Sequence, residues 1–189
     1  MAVNNLPFPL VLILFLVLFF KASANTSKGS SQDLVQTLCV HASYPDICLR
    51  TLSSYAGQAN TPKDLAEAAV QVSLKRATKL SGYLGNLQSG SQKEQGALRD
   101  CVEQITGSVD ELSKTLTELQ HLHSSTFGWQ MSNAQTWVSA ALTDDDTCLD
   151  GFKEVKSRVR SDVKRKVTDV ARVTSNALYL INRLDETRV

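Results

Sequence analysis

Apolar residues recur along much of this chain at alternating steps of four and three. Leu98, Val102, Ile105, Val109, Leu112, Leu116 and Leu119 keep that step over about three heptads, the pattern that holds one helical stripe against a partner helix. Val163, Val167, Val170, Thr174, Ala177, Ile181 and Leu184 repeat it, predicting a last helix from Ser157 to Leu184. Its valines lower helix propensity, but a strand would alternate every second residue and this segment does not. Upstream, Thr61-Pro62-Lys63-Asp64 is a helix start, with Thr61 as cap, Pro62 in the first turn and Asp64 completing a capping box. That helix is predicted to run to about Gln88, with Leu65, Ala69, Val72, Leu80, Leu84 and Leu87 apolar and a break at Gly90. After a turn around Gly128, another is predicted from near Ser132 toward Leu149, with Trp137, Val138, Ala141 and Leu142 apolar and Gly151 as its stop. Asp33 to Val40 and Pro45 to Leu52 read as two short helices, too short to be stable alone. Together these predict an all-α domain over 32–186, in which a helical hairpin (32–55) precedes an antiparallel up-and-down four-helix bundle (61–186).

The N-terminal pattern is of another kind. Leu10 to Phe20 is unbroken apolar, too short to span a bilayer, and Ala22-Ser23-Ala24 follows in the small-x-small form of a signal peptidase site. Residues 1–24 are therefore read as a signal peptide, and 25–31 as a polar leader. Asn25-Thr26-Ser27 in that leader is a glycosylation sequon. The expected location is outside the cell, with no membrane contact after cleavage.

That compartment changes the reading of the cysteines. Cys39, Cys48, Cys101 and Cys148 are an even set in an oxidising environment, so two disulfides are expected, with three connectivities open. Cys39 and Cys48 lie at a separation suited to a local clamp across the hairpin. No Cys or His spacing suggests zinc. With Lys21 lost in the signal, 19 basic residues face 19 acidic ones, so the total charge implies neither a nucleic acid nor an anionic membrane partner.

Three clusters could carry chemistry. Asp144-Asp145-Asp146 has the composition of a calcium site, but successive helix positions point about 100° apart and cannot converge on one ion. Asp144 and Asp146 are instead candidates for a partner-facing surface. His121 and His123, two apart, face away from each other, and no nucleophile has a histidine at an activating spacing. The chain is therefore read as a binding protein, with no cofactor, metal or small-molecule substrate. Lys153, Lys156, Arg158, Arg160, Lys164, Arg165, Lys166 and Arg172 make the start of the last helix basic. The run is read as a solvated face, although in a polyanion-rich matrix it could retain the protein.

The cysteine neighbourhoods carry a family resemblance. Cys39-Val-His-Ala-Ser-Tyr-Pro-Asp-Ile-Cys48 resembles the first bridged hairpin of the plant pectin methylesterase inhibitor and invertase inhibitor family. Trp137-Val-Ser-Ala-Ala-Leu-Thr-Asp-Asp-Asp-Thr-Cys-Leu-Asp-Gly-Phe152 resembles that family's second signature. The resemblance implies Cys39–Cys48 and Cys101–Cys148 bridges and a hairpin-plus-bundle fold. It also implies non-covalent, one-to-one occlusion of an enzyme's cleft. Invertase inhibitors of the family present a Pro-Lys-Phe motif; here Pro62-Lys63 is followed by Asp64. Tyr44-Pro45-Asp46 and Ser139-Ala140-Ala141-Leu142-Thr143 are closer to the methylesterase inhibitors, whose contact threonine matches Thr147. The expected partner is thus pectin methylesterase, with acid invertase as the alternative. Thr147, Asp144 and Asp146 are the candidate contact residues.

Overall fold

The computed structural model describes residues 32–186. The expected signal peptide and leader, and the Asn25 sequon, lie outside the described residues. Residues 32–39 are helical (α1) and are followed by α2 (Pro45–Leu52) and a single 3₁₀ turn, Ser53–Tyr55. Four long helices then form the body: α3 (Pro62–Gly85), α4 (Gln92–Gln120), α5 (Phe127–Gly151) and α6 (Arg158–Glu186). Each consecutive pair packs together and α6 closes on α3, giving an up-and-down bundle with the hairpin laid against α3 and α6.

The helix ends follow from local chemistry. Thr61 accepts a hydrogen bond from the Asp64 amide at 3.1 Å, and Asp64 accepts from the Thr61 amide at 3.0 Å, closing the expected capping box. α3 stops at Gly85, three residues short of the expected end, because the Asn86 and Leu87 amides turn back to Tyr83 and Leu84 in a tightened last turn. α5 starts at Phe127, five residues earlier than the apolar pattern predicts, so Gly128 sits inside its first turn. Buried Gln130 draws that turn in. Its Oε1 accepts from the His123 amide and the Thr126 hydroxyl, both at 2.9 Å, and its Nε2 donates to Glu118 and to the His121 carbonyl. His121 and His123 are exposed in this turn rather than on the helix.

The core seam of α4 differs from the apolar stripe by one line. Leu98, Ile105, Leu112 and Leu119 are buried, but the positions interleaved with them at the centre are Cys101, Ser108 and Thr115. Val102, Val109 and Leu116 flank the seam, half-buried. Small residues on the axis let α5 approach closely. There the buried line is Met131, Ala134, Val138, Ala141, Asp145 and Cys148. α6 contributes the expected Val163, Val167, Val170, Thr174, Ala177 and Ile181.

Two disulfides hold the ends. Cys39–Cys48 clamps the hairpin at a Cα–Cα distance of 5.4 Å, and Cys101–Cys148 ties α4 to α5 at 4.3 Å. Buried Glu94 ties together the two loops at the Cys101–Cys148 end of the bundle, accepting from the Gly90 amide at 3.0 Å and from the Ser157 hydroxyl at 2.9 Å.

Candidate functional site

The C-terminal half of α5 carries the signature residues, and its geometry sorts the three aspartates onto three faces. Asp146 and Thr147 are exposed, Asp145 is in the core, and Asp144 is half-buried against α4. This is the divergence that helical geometry requires of consecutive positions.

Thr147 continues an exposed line of hydroxyl side chains. Thr136, Ser139, Thr143 and Thr147 each donate to the carbonyl four residues earlier, at 2.7–3.0 Å. With their donors spent on their own helix, all four offer acceptor oxygens, and the three threonines methyl groups, in rotamers held by those bonds. Such a surface loses little side-chain freedom on docking. The neighbouring Cys101–Cys148 bridge is buried and fixes the backbone beneath Thr147.

Asp144 stands apart from Asp146 and Thr147. Its carboxylate lies over Gly107 of α4, where a Cβ would come within 2.9 Å of Oδ2, so glycine is what permits this approach. Burial and the nearby Glu111 carboxylate both hold the Asp144 pKa above the usual range. One Glu111 oxygen bonds Lys114 at 3.0 Å and the other is buried without a partner among the described residues. Asp144 therefore belongs to the α4–α5 groove, while Asp146 and Thr147 form the open surface.

Asp145 is the residue the sequence reading passed over. It is fully buried, and both its oxygens lack a hydrogen-bond partner among the described residues. Burial pushes its carboxyl up to about 8; the Ser108 hydroxyl acts in the opposite direction without reaching hydrogen-bond geometry, and Asp144 and Asp146 raise it further. Asp145 is accordingly a neutral acid at pH 7 and part of the packing rather than of the surface. The signal was present in the spacing, since Asp145 lies four residues after Ala141 and three before Cys148.

Among the described residues, no cluster of His, Cys, Asp and Glu could hold a metal ion, and no helix is long and apolar enough to cross a membrane.

Comparison with known proteins gives this geometry a context. The family model described as plant invertase/pectin methylesterase inhibitor matches residues 33–180. Pectinesterase inhibitor 3 of Arabidopsis thaliana is 50% identical over 189 residues, covering 95% of this chain and 92% of that protein. Pectinesterase inhibitor 9 of the same plant is 39% identical, covering 95% of this chain and 94% of that protein. A crystal structure of a mutant form of a pectin methylesterase inhibitor from Arabidopsis superposes with a TM-score of 0.64 at 24% identity, covering 78% of this chain and 95% of that one. At that identity the likeness is one of fold.

Proposed function

We propose that this chain, which belongs to the plant invertase/pectin methylesterase inhibitor family, is a secreted inhibitor of pectin methylesterase acting in the cell wall. The observation that carries this reading is its similarity, along nearly the whole length, to proteins named pectinesterase inhibitors. The working unit is the 32–186 domain, released from a 1–24 signal peptide with the 25–31 leader at its N-terminus.

The mechanism is occlusion. A rigid helical surface covers the enzyme's pectin-binding cleft, so the polymer cannot enter and its methyl esters are not hydrolysed. No covalent bond to the enzyme is required. The exposed Asp146–Thr147 surface of α5 is the centre of contact, and a few well-packed residues there dominate the affinity. Asp144 contributes from the edge of the groove. The complex is one-to-one, because a single α5 face is presented per chain.

Acid invertase is the weaker reading. Asp64 stands where the invertase inhibitors carry phenylalanine, and its carboxylate is committed to the amides of Asn60 and Thr61 at 2.9 and 3.0 Å. Light scattering on mixtures of the purified oxidised protein with a plant methylesterase tests the assembly. A complex of one mass of each is expected; two inhibitors per enzyme, or no complex, would overturn the stoichiometry or the partner.

A further inference from the structure

The charges of the bundle are segregated. α5 carries Asp144, Asp145, Asp146 and Asp150 and no lysine or arginine. Across the bundle from the α4–α5 face, α3 and α6 enclose an open groove of about 560 Å³ whose lining has five cations, Arg76, Lys79, Arg165, Lys166 and Arg172, against one carboxylate, Asp169. A chain with 20 basic and 19 acidic residues has thus gathered a cationic cleft by placement, not by composition. The basic run noted on α6 is only half of it; Arg76 and Lys79 arrive from a helix about ninety residues upstream.

We infer that this groove binds a carboxylate-rich polysaccharide, namely de-esterified galacturonan. Lys79, Lys166 and Arg172 form no salt bridge among the described residues, so their charge is available. Arg76 bonds Asp169 at 2.7 Å, and Asp162 at the rim is taken up by Arg165 and the Tyr83 hydroxyl. These pairs hold the long side chains along the groove walls. The cations span about two turns of α6, roughly 10 Å, and one turn of α3, which suits a run of charges on an extended chain better than one ion. Field lines from both walls converge in such a cleft and favour a polyanion.

The chemistry of the walls argues for a polyuronate over a nucleic acid. The one aromatic in the lining, Tyr83, has the Lys166 ammonium over one face of its ring at 4.3 Å, so the groove holds no run of aromatic platforms for successive bases to stack on. The choice of galacturonan rests on the inhibitor reading above. Hydrolysis of a methyl ester by water releases methanol and a proton and leaves a carboxylate on the polymer. The inhibitor would then accumulate where the enzyme has already acted, with Asp146 and Thr147 of α5 outside the groove lining and still exposed.

The test uses the secreted, oxidised protein and calorimetric titration with fully de-esterified polygalacturonate, fully methyl-esterified pectin, and duplex DNA, at low and high salt. Binding to polygalacturonate, weakened by salt and at least tenfold tighter than to either other polymer, is expected. Lys79→Glu/Arg165→Glu should weaken it at least tenfold. Lys93→Glu/Arg99→Glu, on exposed positions of α4 with the same change in total charge, should stay within twofold of wild type. Absence of binding, equal losses in the two double variants, or DNA binding as tight as polygalacturonate would overturn the inference. Assaying Lys79→Glu/Arg165→Glu against methylesterase on a short esterified substrate separates the two readings. A wild-type protein that binds polygalacturonate but does not inhibit leaves the groove standing and removes the inhibitor function. Inhibition without polymer binding does the reverse.

Discussion

The backbone of Tyr44 and the side-chain amide of Asn176 are paired by two hydrogen bonds. The Tyr44 amide donates to Asn176 Oδ1 at 2.8 Å, and Asn176 Nδ2 donates to the Tyr44 carbonyl at 3.0 Å. Asn176 is buried in α6 and meets both polar groups of a residue just before α2, so one side chain docks the N-terminal hairpin onto the bundle. Arg172, one turn earlier, lies over the Tyr44 ring at 5.5 Å and secures the same junction.

Asn176→Ala should therefore loosen the hairpin as a unit. The Tyr44 amide would lose its partner, while the carbonyl keeps the bond from the Cys48 amide at 2.9 Å, and an unpaired amide costs about 1–3 kcal/mol. Denaturant melts should show that loss, and hydrogen exchange should quicken over 32–55 while the centres of α4 and α5 keep their protection. A uniform increase in exchange would contradict the docking role.

Asp145 makes stability depend on pH in a definite direction. Its folded carboxyl is pushed up to about 8, above its unfolded value of 3.8. The stabilisation from the protonated form is thus complete below the unfolded value and is lost as pH rises through about 8. Relative to wild type, Asp145→Asn should gain stability steadily from pH 4 to pH 8, by a few kcal/mol at the upper end, since each unit is about 1.36 kcal/mol. Parallel pH profiles for the two proteins would show that Asp145 ionises freely in the fold.

The long-range bridge spans a sequence separation of 47 residues. Cys101→Ser should cost about 2–5 kcal/mol, Cys148→Ser a similar amount, and the double variant little more, because the two sulfurs act as one unit. Additive costs in chemical melts would mean that the two cysteines act separately.

Thr147→Trp tests the contact surface without touching the core. Thr147 is exposed, so helicity and melting should stay near wild type. Inhibition should weaken at least tenfold, about 1.4 kcal/mol, as the bulky ring holds the surfaces apart. Full inhibition by the folded variant would remove this face from the interface.

Much of the fold was legible because helix periodicity and end signals are local. The Thr61–Asp64 box, the Pro45–Leu52 helix and the α6 line follow directly from spacing. The centre of α4 was less so, because Cys101, Ser108 and Thr115 are core by position and polar or small by type; only the approach of α5 makes them central. The start of α5 was missed because what fixes it, Gln130, is a buried amide with no hydrophobic signature. Of the contact candidates, a sequence pattern groups Asp144 with Asp146, whereas the close approach at Gly107 turns Asp144 toward α4.

The most direct measurement titrates the purified oxidised protein, side by side, against a plant pectin methylesterase and a cell-wall acid invertase. Methylesterase activity should be lost, completely at one equivalent and reversibly on dilution, with invertase activity unchanged. Invertase inhibition with no effect on the methylesterase would contradict it.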